Sequence, residues 1–468
     1  YTIAATLKEG ITLRENAKYR LLMEDKPQFR PGMEPMKHRP VIIGLGPAGM
    51  FCGLMLTRAG YQPVILEQGA PMEERVADVE AFWQEQRLDE SSNIQFGEGG
   101  AGTFSDGKLM TRINDGFCRV VLEEFVAHGA PKEILTAAKP HIGTDLLRKV
   151  VVAIRQEIVS LGGEVRFHAA AEDIIAKDGK ITGVIAQGEE IPCDCLILAP
   201  GNAARPLFTC SMERGIAMEA KPFSVGARIE HQQEAIDHAM YGDYAGHPKL
   251  GHAEYQLSER ETDTGRAVYT FCMCPGGYVV AAASEEGGVV TNGMSYADRA
   301  GENANAALLV TLNPQVFPYP GALGGMYWQR EIEQRAYALS GSYCAPAQRI
   351  GDFLQGVPST GAGAVQPTYR PGVCWCDLHQ VLPSGITDAL EKAIPSLDGN
   401  LKGFADPDGV LTAPETRSSS PVRICRDETR QSSLRGLYPT GEGAGYAGGI
   451  MSAAIDGILS AEAILEQL

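Results

Sequence analysis

HRPVIIGLGPAGMFCGLMLTRAGYQPVILEQG, residues 38–69, is the stretch on which the fold turns. Val41-Ile42-Ile43 is a continuous apolar run, as expected of a strand buried on both faces. Gly44-Leu45-Gly46-Pro47-Ala48-Gly49 follows directly, and Gly53 comes one helical turn later. Gly44 permits the tight turn, Gly46 lets the backbone approach a pyrophosphate, and Gly49 allows a helix to pack closely on the sheet. The pattern predicts a helix over 47–59, ended by Gly60, whose N-terminus offers free N–H groups and a positive dipole end. Val64-Ile65-Leu66 reads as the second strand, and Glu67 closes it about 20 residues beyond the glycines. A carboxylate there accepts both ribose hydroxyls and repels a 2′-phosphate, which selects FAD or NAD over NADP. Gly44, Gly46, Pro47, Ala48, Gly49, Glu67 and Gln68 are therefore the first expected cofactor contacts.

Two distant segments favour FAD. In residues 162–201, Asp178-Gly179 lies between two strand-like runs, the sequence of a type I′ hairpin. The short strands lead into Leu196-Ile197-Leu198 and the turn Ala199-Pro200-Gly201. This layout resembles the β-meander and Ala-Thr-Gly-type turn of glutathione-reductase-class flavoproteins, with Pro200 in place of Thr. In residues 434–465, Leu437-Tyr438-Pro439-Thr440 reads as a short strand ending in Gly441-Glu442. It resembles the second FAD motif, with Glu442 where that class carries Asp against the ribityl chain. Gly443 to Gly449 form a loop into a helix with Ile450, Ala454, Ile458 and Ala461 at helical spacing. In such folds the helix dipole stabilises negative charge at the flavin pyrimidine. Ala199, Gly201, Gly441, Glu442, Gly449 and Ile450 join the expected contacts; the alternative is a glycine-rich helix that only packs on its neighbours. Neither Gly361–Gln366 nor Gly321–Gly325 has the setting of a second phosphate-binding unit. NADH or NADPH, if used, is then expected as a transient electron donor without a Rossmann domain of its own.

The expected fold class is α/β: a Rossmann-like FAD/NAD(P)-binding domain of three layers, ββα, carrying an inserted α+β substrate domain. The expected layout gives 1–37 to the tail of an N-terminal module and 38–205 to the first parts of the FAD-binding domain, with a helical segment at 116–160. The inserted substrate domain takes 206–414, and 415–468 completes the FAD-binding domain.

The glycine cluster at 96–109 reads FGEGGAGTFSDGKL. Glycine N–H groups form anion-binding concavities and Lys108 adds a cation. Gly99, Gly100, Gly102, Thr103 and Lys108 are assigned to FAD or the flavin edge, against the alternative of a glycine-rich surface turn. NIQFGEGGAGTFSDGKL (93–109), KPHIGTD (139–145), FSVGARIEH (223–231), FCMCPGG (271–277), ETRSSSPVRI (415–424) and GEGAGYAGGI (441–450) together resemble the bacterial FAD-dependent dehydrogenases, an uncharacterised FAD-dependent oxidoreductase family with a glutathione-reductase-like fold. The resemblance runs over nearly the whole chain and implies bound FAD and a redox role.

Composition narrows the function classes. The chain has 468 residues, 44% apolar and 21% charged, which suits a globular protein of two or three domains. A net charge of −17 disfavours nucleic acid as a partner. No apolar run reaches the roughly 18–20 residues of a membrane span, so no membrane partner and a cytoplasmic location are expected. Eleven cysteines, an odd number in a long chain, argue for a reducing compartment. Six of them form three Cys-x-Cys pairs, with no zinc spacing, so no metal site is expected.

Candidates for the chemistry are Lys108, Cys272, Cys274, Arg417 and Arg423. Cys272 and Cys274 form either a strained, easily reduced disulfide or a packed pair on one strand face. Cys193 and Cys195 read as core. Arg417 and Arg423 precede the second FAD motif, where a guanidinium clamps a substrate carboxylate or else pairs with Glu415 or an acid of the insert. Arg228, Glu230 and His231 alternate along an expected strand; His252 and Glu254 are a weaker acid–base pair, and His141 reads as structural. The expected function is an FAD-dependent oxidoreductase, a dehydrogenase acting on a small-molecule substrate. The alternatives are a flavin-dependent enzyme acting on RNA or another macromolecule, and a non-enzymatic FAD-bound electron-transfer protein.

Overall fold

The computed structural model describes Gly32 and residues 34–111, 116–260 and 266–468. The expected tail at 1–37 lies outside the described residues except for Gly32 and 34–37. A five-stranded sheet carries Leu437–Pro439, Leu196–Leu198, Val41–Ile43, Val64–Leu66 and Glu164–Arg166 in that order. All four pairings are parallel. Side chains alternate across it. Ile42, Ile65, Ile197 and Tyr438 face the helices, while Val41, Val64, Leu66, Leu196 and Leu437 face the other way.

The helical layer is made by Pro47–Arg58, Phe117–Ala127, Thr144–Ser160 and Ile450–Leu465. The opposite layer is the antiparallel meander Ala171–Lys177, Lys180–Ala186 and Glu189–Pro192, which covers the sheet with Ile174, Ile181 and Val184. The result is the three-layer ββα arrangement. Both residues of the Asp178-Gly179 turn have positive φ, 52° and 73°, as a type I′ turn requires.

A second sheet has seven strands, ordered Ser258–Arg260, Ala267–Cys274, Asn303–Leu312, Phe223–Gln232, Val410–Glu415, Ala345–Arg349 and Val373–Trp375. The alternation of Phe223–Gln232 gives the sheet two unlike faces. Phe223, Val225, Ala227 and Ile229 join an apolar core with Ile386, Leu390 and Ile394 of helix Ser384–Asp398. Ser224, Arg228 and Glu230 project from the other face, where they meet Tyr269, Glu415 and Thr368 respectively. A hairpin of Tyr278–Ala281 and Thr291–Met294 bridges the two sheets. Val280 and Met294 pack with Val79, Ile94 and Phe104 on one side, and Val279 and Ala281 pack with Phe82 and Tyr343 on the other. No helix among the described residues is long and apolar enough to cross a membrane.

The first and last helices of this three-layer unit cross at Gly457, where an added Cβ would lie 2.1 Å from the Ala48 carbonyl oxygen. Gly457→Ala is therefore expected to cost about 1–3 kcal/mol through overpacking. Gly361→Ala, with nothing within 4 Å of the new atom, is the neutral control. Denaturant midpoints of the two variants check this.

Candidate functional site

A cleft of about 680 Å3 separates the three-layer unit from the polar face of the seven-stranded sheet. That volume lies in the range of cofactor and small-molecule sites. One wall comes from the first strand–turn–helix unit: Gly44, Gly46, Pro47 and Ala48, with Glu67 and Gln68. Gly100, Gly102 and Lys108 line it from the 96–109 loop, and Ala199 and Gly201 from the turn after Leu196–Leu198. Glu442, Gly449 and Ile450 close that side. The opposite wall presents Arg228, Phe271, Cys272, Cys274, Asn292, Glu415 and Arg417.

The glycines divide by what surrounds them. A Cβ at Gly44 would sit 2.2 Å from the Ala199 carbonyl oxygen, and one at Gly49 1.9 Å from that of Gly44, so both serve the turn and its packing. Gly46 differs: its nearest protein atom would be the Gly100 Cα at 3.8 Å, and its φ of −73° suits any residue. Nothing in the protein requires glycine there; the space in front of it is the cleft. Gly201 and Gly449 likewise have nothing within 4 Å. Helices Pro47–Arg58 and Ile450–Leu465 both begin without a side-chain cap and without an acid in the first turn. Two helix N-termini thus offer uncapped N–H groups to one cavity.

Several expected contacts lie behind this surface. Gly49 packs under the turn, Gly99 against Val151, and Gly441 against the Ala48 Cβ, and none of them lines the cleft. Thr103 is fully buried; its hydroxyl bonds the Gly100 carbonyl at 2.5 Å and accepts from Arg75. The assignment of Gly99 and Thr103 to direct flavin-edge contact is therefore corrected: they shape the loop from inside. Arg75 organises that loop. Fully buried, it donates to the carbonyls of Asn93, Ile94, Glu98 and Gly100 as well as to Thr103, and its guanidinium stacks 4.8 Å from the Phe104 ring. A lone arginine inside helix Met72–Glu85 gives no sequence signal of this role.

Glu67 also does more than expected. Its carboxylate accepts from the backbone N–H of Leu45 (2.8 Å), Gly69 (3.0 Å) and Gly97 (2.9 Å), tying the glycine turn to the second loop. A carboxylate has about four lone-pair positions, so room remains for one ribose hydroxyl rather than two. Glu442 accepts from Asn202 Nδ2 at 2.8 Å and from the Gly449 N–H at 3.1 Å, and burial raises its pKa. Asp456 supports this segment from below, accepting from Gly441 N–H at 2.7 Å while paired with Arg426 and Arg430.

The charged candidates separate as well. Arg228 is fully buried and all five of its N–H groups are engaged: two with Glu415 (2.6 and 2.8 Å), and one each with the Cys272 carbonyl, Asn305 and Asn292. Gly293 makes room for the guanidinium, since a Cβ there would lie 2.5 Å from its Nη1. Glu230, also fully buried, accepts from Asn303 and Thr368 instead, and His231 turns into the opposite core against Phe404. Arg417 lines the cleft but pairs bidentately with Glu333 (3.0 and 2.9 Å), which Arg205 clamps from the other side at 2.9 Å. Its partner is thus an acid of the insert, while Glu415 serves Arg228. Arg423 is corrected outright. In strand Val422–Ile424 its neighbours point into the core, so Arg423 points outward to Glu219 at 3.2 Å, away from the cleft.

Lys108 donates to the Met273 carbonyl and lies 3.5 Å from Glu254, so its ammonium is already partnered. Glu254 pairs with Arg299 and His252 with Asp237, so these two do not act together. Burial lowers the pKa of His141. Cys272 and Cys274 are free thiols; Cys274 is buried, whereas Cys272 is exposed to the cleft. Burial pushes the Cys274 thiol up to about 12. The packed-pair reading therefore fits Cys274 alone. Cys193 and Cys195 are core residues.

Residues 222–418 match the family model described as FAD-dependent protein, C-terminal domain-like. An uncharacterized protein of Clostridium beijerinckii is 49% identical over 441 residues, covering 94% of this chain and 83% of that protein. Among solved structures, a geranylgeranyl bacteriochlorophyll reductase-like protein from Thermoplasma acidophilum covers 92% of this chain and 78% of its own, at 11% identity and a TM-score of 0.41. Glycine oxidase from Bacillus cereus covers 92% and 95%, at 12% identity and a TM-score of 0.34.

The Arg205–Glu333–Arg417 cluster makes a pH prediction. Burial pushes the Glu333 carboxyl up, but Arg205 and Arg417 outweigh it and hold its pKa at about 2, below the ordinary 4.5. The pairing thus adds stability above about pH 4.5 that is lost as pH falls towards 2. Glu333→Gln, which leaves two buried guanidinium groups without their carboxylate, is expected to cost about 3–5 kcal/mol at pH 7. That deficit should narrow in denaturant midpoints taken stepwise below pH 4.5.

Proposed function

We propose that the chain, which belongs to the family of the Clostridium beijerinckii protein, is an FAD-dependent oxidoreductase that holds its cofactor non-covalently in the cleft and acts on a small-molecule substrate against the seven-stranded sheet. The observation that carries this reading is the open space in front of Gly46, faced by two uncapped helix N-termini. An anionic pyrophosphate accounts for both features: it uses the free N–H groups and needs the bare backbone. The FAD-dependent family model over residues 222–418 supports the same cofactor.

In this reading Gly44, Gly46, Pro47 and Ala48 cradle the pyrophosphate, and Glu67 takes a ribose hydroxyl beside Gln68. Gly100, Gly102, Ala199, Gly201, Glu442, Gly449 and Ile450 bound the rest. FAD supplies hydride or electron-pair transfer when bound. The chain positions it, excludes water with the bridging hairpin and the second sheet, and places the Ile450–Leu465 dipole where negative charge develops. A reduced nicotinamide is the proposed donor, visiting the cleft without a domain of its own. The net charge of −17 favours a small substrate over RNA. Eleven cysteines, none of them bridged, fit a reducing compartment and a cytoplasmic location.

Purified protein should carry about one FAD per chain and be bleached anaerobically by NADH or NADPH. Gly46→Arg should remove the flavin while leaving the apoprotein's denaturation midpoint unchanged, because no protein atom fills that space. Protein that stays colourless after reconstitution with FAD, or a Gly46→Arg variant that keeps its flavin, overturns the reading.

A further inference from the structure

Strand Ala267–Cys274 breaks its register at the cleft. Phe271 pairs with Ala307 and Cys274 with Asn305, so one extra residue is accommodated between them. In regular alternation Cys272 would share the core-facing side of Val268; instead Met273 takes that side and Cys272 is exposed in the cleft. Cys272 has a φ of 42°, a region that non-glycine residues rarely enter. Two cations from separate elements hold the bulge. Arg228 donates to the Cys272 carbonyl at 2.9 Å, and Lys108 donates to the next one, at Met273. Strained bulges beside cavities recur where a side chain is re-aimed for function.

The surrounding wall says what kind of molecule fits. Arg228 is neutralised by Glu415, Arg417 by Glu333, Lys108 by Glu254, and Asp106 by Arg299. An ionised substrate would find no unpaired counter-charge among these groups, so a neutral one is favoured. Thr291 lines the same cleft and is 2% exposed, and its buried hydroxyl has no hydrogen-bond partner among the described residues, which leaves one polar group at the wall unsatisfied.

We propose that Cys272 is the acid–base group of the flavin reaction, giving its thiol proton to a neutral α,β-unsaturated carbonyl compound. The inference rests on the flavoprotein reading above. The S–H bond breaks and a C–H bond forms at the carbon next to the carbonyl; the thiolate then regains a proton from water. The electron pair arrives at the far carbon of the double bond as hydride from reduced FAD, and a reduced nicotinamide restores the cofactor. A thiol of ordinary pKa is protonated near neutral pH, and desolvation by the cleft walls raises this one further, while the charges of Arg228 and Lys108 favour the thiolate left after transfer; Glu415 and Asp106 oppose them.

Three measurements on the FAD-loaded protein test this, with the flavin's own visible bands reporting that the cofactor is bound. Raising the pH from 7 to about 10 should produce a broad charge-transfer absorbance to the red of those bands, from a thiolate against oxidised flavin. Cys272→Ser should lack it and Cys274→Ser should keep it. Iodoacetamide should label Cys272 at least about tenfold faster in apoprotein than in holoprotein. Dithionite-reduced holoprotein should be reoxidised anaerobically by 2-cyclohexenone, and Cys272→Ala should slow this by about 100-fold or more. A flavin-loaded protein with no such band, or one whose Cys272→Ser variant retains it, overturns the placement of the thiol, as does labelling indifferent to FAD. Reoxidation as fast in Cys272→Ala as in the wild type overturns its role, and no reoxidation of the wild type by the enone overturns the substrate class. Absence of bound flavin would instead sink the reading on which the inference rests.

Discussion

The crossing of helices Pro47–Arg58 and Ile450–Leu465 at Gly457 is the contact on which the rest of the molecule depends. With no side chain there, the last helix lies directly against the Ala48 carbonyl, and Ala48, Ala199 and Ala453 fill the small gap above it. The approach brings two helix N-termini, more than 400 positions apart in the chain, to one cavity. Each end alone is an ordinary source of unsatisfied N–H groups. Side by side, uncapped and without acids in their first turns, they turn free N–H groups towards the same space. The meeting of both helix ends at the cleft follows from that packing.

The opposite wall is held by buried ion pairs rather than by apolar contact. Arg228–Glu415 and Arg417–Glu333–Arg205 all lie at the junction of the two sheets. Desolvating such groups is costly, and their mutual attraction repays it only when geometry and hydrogen bonding are complete. Arg228 meets that condition, with every N–H engaged. These clusters therefore act chiefly as registration devices: any displacement of the insert would strand a buried charge. They also leave the charged groups of that wall paired, with the Cys272 thiol exposed among them.

The parts of the site legible in the sequence are those whose signal is local. The Val41–Ile43 strand, the Gly44–Gly49 turn and the helix after it declare themselves through apolar periodicity and the backbone freedom of glycine. The same holds for Asp178-Gly179, whose hairpin needs two residues of positive φ. Thr103 and Gly99 were misplaced because a glycine-rich loop has two faces, and composition does not say which one meets the cavity. Arg423 was misplaced because two-residue alternation with Val422 and Ile424 turns it outward but does not say whether the outward side meets the cleft.

By itself the sequence determined the Gly44–Gly49 strand–turn–helix unit, the short strand and helix of the last segment and the α/β class, since each depends on residues a few positions apart. Only the tertiary structure decided the roles of Arg75, Glu333 and Arg228, and the exposure of Cys272. Arg228 meets Glu415 across 187 positions, Arg417 meets Glu333 across 84, and the Cys272 bulge exists only relative to its partner strand. Charge pairing and strand register are properties of approach in space. No periodicity along the chain encodes which arginine will find which acid.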